Sequence, residues 1–216
     1  MNMELITKTE VFLKETFAES VYLTAHPARR EYRLEHSYRV ANIAKEIAEK
    51  EGFDTTHAVI AGLLHDIAYC EEMVTDEDWK NHGRRGAEIA RPFLNGLGLS
   101  PDTVNEICYG IAIHVDDASS FEWERTPFSE TIGDADNIDR YDAYRIHEML
   151  QWQGFTELSL SVKKEKVSAM LEKLNRIKEI NLGTPTAKAI WIQRLDYYIG
   201  FYEKLKAQLD SSRTIL

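Results

Sequence analysis

Residues Gly62-Leu63-Leu64-His65-Asp66-Ile67-Ala68 set an imidazole beside a carboxylate inside an apolar helical stretch. Burying that pair costs free energy unless each member finds a partner, and one metal ion can partner both. Residues of the same kind recur along the chain. His36 lies upstream, His82 and His114 lie downstream, and Asp136 sits in the run Ile132-Gly133-Asp134-Ala135-Asp136-Asn137-Ile138-Asp139. Four imidazoles and two carboxylates are enough to hold one divalent metal with open positions, or two. Such a mixed set suits Mn, Fe, Co, Ni, Zn or Mg and does not choose among them. In hydrolytic chemistry the metal would lower the pKa of a bound water and neutralise charge that develops on the group under attack.

Each of these residues also has a plain structural use. His36 shares an inward helix stripe with Val40, Ile43 and Ile47, where a core histidine could simply bond to backbone. His65 shares a face with Ala58, Ala61 and Ala68, small residues that let another helix or an ion come close. His82 reads as the first residue of a helix whose inward face continues through Gly86, Ile89 and Phe93. His114 follows Ile107, Gly110 and Ile111 at a helix C-terminus, where a cation would complement the dipole. Asp136 looks inward with Ile132 and Ala143, whereas Asp134 and Asp139 read as exposed. Taken together, five inward ionisable residues on five helices, plus Asp66, make a costly core without a metal to pair them. His26, His57 and His147 do not join the pattern and read as structural or surface residues.

The elements that must position these residues are helical throughout. The periodicity predicts helices over 4–18, 31–51, 55–70, 82–97, 101–115, 127–152, 158–181 and 185–210, with no alternating strand pattern. Ser100-Pro101 and Thr184-Pro185 each supply a capping residue followed by Pro in the first turn. A length of 216 residues without repeat or linker predicts a single all-helical domain over 1–216. The stretch from about Asp116 to Pro127 reads as a solvated loop, with a lid as the alternative. The formal charge of −10 disfavours a nucleic-acid polymer as partner, since phosphate backbones need clustered Lys and Arg. A small phosphorylated substrate stays compatible, because bound cations reverse the local field. Cys70 and Cys108 give no disulfide framework or zinc site and read as small buried hydrophobes. The N-terminus carries acids, unlike a signal peptide, and no apolar run reaches membrane-spanning length; a reduced, cytoplasmic protein with no membrane partner is the expectation. Trp191, Leu195, Tyr198, Tyr202, Leu205 and Leu209 recur at helical spacing near the C-terminus. Core packing is the first use for that stripe, and a substrate pocket or homodimer face the alternative.

The order His … His-Asp … His … His … Asp, with AGLLHDIA around the pair and DADNID around the last Asp, resembles the HD superfamily of metal-dependent phosphohydrolases. The similarity spans about residues 31–145, flanked by N- and C-terminal helices. The resemblance implies an all-α, HD-domain-like helical bundle with a central metal site. It implies His36, His65, Asp66 and Asp136 as core ligands, with His82 and His114 completing a second metal and Asp66 as the bridge. His65 and Asp66 are then the catalytic pair, and Asp66 or a neighbouring carboxylate would take the proton of the attacking water. Arg33, Arg84 and Arg140 are candidates for phosphate contacts, with a solvated helix surface as the alternative for each. The implied reaction is cleavage of a phosphoester in a small phosphorylated metabolite, a nucleotide first, by metal-bound hydroxide. No Gly-Tyr-Pro triplet occurs, so the chain does not resemble the cyclic-dinucleotide phosphodiesterases. The alternative is a diiron oxygenase similar to myo-inositol oxygenase or the phosphonate-cleaving oxygenase, whose ligand order is the same. A ligand-sensing module stands third.

Overall fold

Helices and short 3₁₀ turns make up this computed structural model, which describes residues 1–212 and holds no strand among them. The chain divides into two units, Met1–Asp139 and a second beginning at Arg140.

In the first unit, α1 (Met3–Glu19) is capped by Asn2 and buries Ile6, Thr9, Leu13 and Phe17. A short α2 (Val21–Ala25) leads to α3 (Pro27–Glu51), which opens with Pro at its first position and ends where Gly52 takes a φ of 77°. The helix therefore starts one turn before the expected residue 31. Next comes α4 (Thr55–Leu64), capped by Asp54, whose carboxylate accepts from the His57 amide at 2.9 Å. A Cβ on Gly62 would lie 2.7 Å from the Ala41 Cα, so α3 and α4 cross at backbone contact. That contact fixes the separation between the helix carrying His36 and the segment carrying His65.

The expected helix over 55–70 stops at Leu64. His65 and Asp66 form a turn, and Ile67–Cys70 continues as a 3₁₀ turn. The His65 ring donates from Nδ1 to the Gly62 carbonyl at 2.8 Å, the acceptor that another helical turn would use. Cys108 is buried, but Cys70, at the end of this turn, is only half-buried, which corrects the expectation for it. Burial pushes both thiols up to about 11.

The fifth helix, α5 (Asp76–Gly96), begins six residues before the expected start. Thr75 and Asp78 form a reciprocal cap, with Asp78 in the place where Glu or Gln is usual. His82 thus lies in the second turn rather than at the start. Helix α6 (Pro101–Ile113) is capped by Ser100, and His114 is its C-terminal cap residue. A Cβ on Gly83 would lie 2.6 Å from the Ala112 carbonyl oxygen and 3.1 Å from His114 Nδ1, so α5 and α6 also meet at backbone contact. The stretch from His114 to Thr126 is irregular, as expected for the loop, and Arg125 ties it by pairing with Asp117 and Glu130 at 2.7 Å each. The unit closes with α7 (Pro127–Asp139).

The second unit contains α8 (Ala143–Trp152), α9 (Leu160–Lys178) and α10 (Pro185–Ser211). The expected helix over 127–152 is therefore two. Asp142 is extended, at φ −153°, and its carboxylate accepts from the Ala143 amide at 2.6 Å, which starts α8 afresh. Ala143, expected to face inward beside Asp136, is exposed as a result. In α10 the aromatic stripe is used for packing: Trp191, Leu195, Tyr198 and Tyr202 are buried, while Leu205 and Leu209 are half-exposed. Tyr141 packs edge-on against both Trp191 and Tyr198. Among the described residues no helix is long and apolar enough to cross a membrane.

Candidate metal centre

Three of the four candidate histidines are held by the same local bond. The Nδ1 of His65 donates to the carbonyl of Gly62 at 2.8 Å, that of His82 to Trp79 at 2.6 Å and that of His114 to Ile111 at 2.7 Å. Each is a bond to the residue three positions back. A carbonyl only accepts, so the proton must sit on Nδ1 and the Nε2 lone pair is left to point inward. His36 obtains the same tautomer differently, donating from Nδ1 to Asp139 Oδ2 at 2.8 Å. Asp139 is itself held by Arg39, whose Nε donates to Oδ1 at 2.9 Å.

The four Nε2 atoms then meet in pairs. His36 and His65 approach to 3.2 Å, His82 and His114 to 3.1 Å. Asp66 lies between the pairs. Its Oδ2 is 3.5 Å from His36 Nε2 and 3.6 Å from His65 Nε2, and its Oδ1 is 3.3 Å from His82 Nε2 and 3.6 Å from His114 Nε2. Asp136 Oδ1 adds to the first group, 3.1 Å from His36 Nε2 and 4.0 Å from His65 Nε2. None of the six residues is more than 8% exposed. Two groups that could hold an ion result, His36–His65–Asp66 and Asp66–His82–His114.

These residues fit a metal on three grounds. Lone pairs on two neutral imidazoles at 3.1 Å repel unless a cation or proton lies between them. Asp66 Oδ1 is buried without a hydrogen-bond partner, a cost that a metal bond would remove. Bonds of about 2.0–2.1 Å put neighbouring ligand atoms about 2.8–3.4 Å apart, from octahedral to tetrahedral geometry. The spacings of 3.1–3.6 Å within the two groups are close to that.

The charges follow from the packing. Burial raises the Asp66 pKa, but the neighbouring His65 and Arg33 outweigh it and hold the carboxyl well below its usual range. Burial lowers the His36 pKa, yet hydrogen bonds with Asp136 and Asp139 prevail and bring it up to about 9. His65, wholly enclosed, is pushed down to about 4 by burial. Asp139 is lowered by His36 and Arg39 against the cost of its burial.

Of the three arginines expected to contact phosphate, Arg33 lies beside this cluster and donates to Asp66 Oδ2 at 2.7 Å. Arg84 is engaged elsewhere, donating to Asp116 at 2.7 Å and to Asn81 at 2.7 Å from Nε. Arg140 is exposed and opens the second unit, beyond the end of α7. His26 and His147 are exposed and His57 half-buried, as expected. Asp139 and Asp134, expected to be exposed, are buried at 7% and 8%. The signal for Asp139 was its spacing: it stands one turn after Asp136, as Arg39 stands one turn after His36, so two residues of α3 face two of α7.

A match of residues 33–144 to the HD-domain family model covers just over half of the chain. The chain belongs to the HD-domain family. Among curated relatives, it is 29% identical over 127 residues to YueE of Bacillus subtilis (strain 168), assigned to the phosphohydrolases by name only; the match covers 53% of this chain and 72% of that one. It is 35% identical over 98 residues to "Ribonuclease Y 1" of Pediococcus pentosaceus, covering 43% of this chain and only 18% of the ribonuclease. Among solved structures, a predicted HD superfamily hydrolase from an uncultured Thermotogales bacterium shares the fold with a TM-score of 0.62 at 23% identity, over 95% of this chain and 91% of that one. Bacillus subtilis YpgQ, solved in complex with ADP, shares it with a TM-score of 0.61 at 16% identity, over 95% of each chain.

Proposed function

We propose that this chain is a metal-dependent phosphohydrolase that cleaves a phosphoester of a small phosphorylated metabolite, a nucleotide in the first instance. The observation that carries the reading is Asp66, whose two oxygens each face a histidine pair across 3.3–3.6 Å. His36, His65, Asp66 and Asp136 would hold one divalent ion, and Asp66, His82 and His114 a second. The ions, when bound, supply Lewis-acid charge for the phosphoryl oxygens and a water of lowered pKa.

The chain's own residues orient and exclude. Nδ1 bonds to backbone and to Asp139 fix four rings so that no rotation is needed when a ligand arrives. Asp66 is too acidic to keep a proton near neutral pH, which suits a bridging and hydrogen-bond-accepting role better than that of general base. Arg33 neutralises Asp66 on one side and sets a permanent cation beside the cluster, a charge suited to a phosphate oxygen. The nucleotide preference is supported by the ADP complex of YpgQ, and the phosphohydrolase reading by the name of YueE. The relatives lend no support to the diiron oxygenase alternative. A net charge of −10 opposes an RNA polymer as substrate, despite the partial likeness to a ribonuclease.

Phosphate release is measured over a panel of nucleotides, simple phosphoesters and a short oligoribonucleotide, with Mn²⁺ and without oxygen. Asp66→Ala is run alongside, and bound metal is counted by elemental analysis. Release from a nucleotide that vanishes in Asp66→Ala, with metal lost and helical content kept, is the expected result. A fully active Asp66→Ala, or turnover that needs oxygen, would overturn the reading.

A further inference from the structure

Beside the cluster the first unit holds a pocket of about 310 Å³, walled by Tyr22, Tyr32, Tyr69 and Trp79, by Arg29 and Arg33, and by no acid. Pocket and cluster share a wall. Arg33 donates to Asp66 Oδ2 at 2.7 Å while its guanidinium lies 3.3 Å from the centre of the Tyr69 ring. Tyr69 packs in turn against His82, ring centres 4.9 Å apart, and Tyr32 lies parallel to His36 at 6.1 Å. A molecule whose phosphate reached Asp66 past Arg33 would have its remainder in this pocket.

The lining decides what that remainder is. Four aromatic side chains suit a flat ring, because stacking is favourable for any base and needs no exact register. Among the described residues Arg29 has no carboxylate partner; it donates to the Tyr22 hydroxyl and lies over that ring at 5.8 Å. In a chain with 36 acids against 26 bases, a cation left without an acid in an acid-free pocket is poised for acceptor atoms of a ligand. The volume sits at the low end for small-molecule pockets, room for one nucleoside rather than a stacked strand. Tyr22 and Arg29 precede the part of the chain that matches the family model, so this side of the pocket is added by the preceding segment.

We infer that this pocket takes the nucleoside portion of the substrate, its base lying on the aromatic wall and its acceptor edge on Arg29, with Arg33 at the boundary to the phosphate. The inference rests on the phosphohydrolase reading for the placement of the phosphate, but occupancy of the pocket can be read without turnover. Trp79 lines the pocket and is 44% exposed, so it reports on a bound base.

The full chain, in chelator, is titrated with adenosine, guanosine, cytidine and uridine while tryptophan fluorescence is followed; Trp79→Phe identifies the signal. Saturable quenching by at least one nucleoside is expected, and ribose 5-phosphate should not compete for it. Arg29→Ala and Tyr32→Leu should each weaken binding about tenfold, equivalent to about 1.4 kcal/mol and within the range for one stacked base. Arg29 is exposed, so its loss does not endanger the fold. With Mn²⁺, Tyr32→Leu should lower the ratio of kcat/KM for the nucleotide to that for glycerol phosphate about tenfold. Absence of nucleoside binding, or variants that bind as the parent does, would overturn the pocket assignment even if phosphate is released. Nucleoside binding without any release would uphold the pocket and tell against the hydrolase reading instead.

Discussion

His36 is the one candidate ligand whose Nδ1 rests on a charged side chain rather than on its own helix, and its behaviour should differ accordingly. Asp139 accepts from it at 2.8 Å and fixes which nitrogen faces Asp66. In Asp139→Asn the amide can still accept but the charge is gone, and the amide nitrogen can rotate into the same place. Such supporting partners are worth about 10–100-fold in metal affinity. That loss is expected here, read by competition with a chromophoric chelator, while helical content stays as in the parent. The metal-free chain also has a predictable pH profile. His36, raised to about 9, favours folding fully below its unfolded value of 6.5 and loses that contribution as pH rises through 9. His65, lowered to about 4, acts the other way: its contribution is complete above 6.5 and is lost as pH falls toward 4. Denaturant unfolding in chelator should therefore show a stability maximum near pH 6.5. Saturating metal should flatten the alkaline limb, because the His36 proton is then already displaced. A metal-free profile rising steadily to pH 9 would contradict the His36 assignment.

At the scale of elements, the site depends on two backbone contacts. Gly83 presses against the Ala112 carbonyl, and an added Cβ at 2.6 Å meets backbone that no side-chain rotation can relieve. Gly83→Ala should cost about 1–3 kcal/mol by overpacking. It should also separate His82 from His114, so that, if the proposed second site is filled in the parent, the variant binds about one ion fewer per chain. Gly96→Ala, at the end of the same helix with nothing within 4 Å of the new Cβ, should leave both stability and metal content unchanged or slightly improved. Urea denaturation and metal analysis on the two variants separate packing from the general effect of replacing glycine. These contacts also explain what the sequence could and could not tell. The inward placement of His36, His65, His82 and His114 was legible because each sits among apolar residues of regular period; that of Asp136 rested on Ile132 alone, since Ala143 is exposed. The breaks were not. Periodicity carries α4 smoothly to residue 70, yet the His65 side chain takes the acceptor that the next turn needs. It likewise carries α7 into α8, yet Asp142 ends one register and begins another. Because that break was missed, the inward face of α7 was phased against Ala143, and Asp139 was assigned to solvent. Arg29 and the tyrosine wall escaped for a different reason: Tyr22, Tyr32 and Tyr69 lie on separate segments whose approach no single period encodes.

At the scale of the whole molecule, the proposed ligands come from five segments of the first unit and meet at one centre: α3, the turn after α4, α5, the end of α6, and α7. In metal-free protein the His82 and His114 Nε2 atoms face each other at 3.1 Å and one Asp66 oxygen is orphaned, each of which opposes packing. Metal should therefore contribute to stability and not only to turnover. An ion at a hundred times its Kd adds about 2.7 kcal/mol per site. In a chain of this size that corresponds to a rise in Tm of about 5–10 °C. Calorimetry with Mn²⁺ and with chelator checks the size. Hydrogen exchange checks the location: chelation should speed exchange in α3, α5 and the end of α6, where the ligands are anchored. The amides of α8 to α10, which supply none of the candidate ligands, serve as the comparison. Exchange that is unaltered around His36, His82 and His114 when the metal is removed would mean that the ion is held elsewhere, since four imidazoles facing one carboxylate cannot lose a shared cation without loosening.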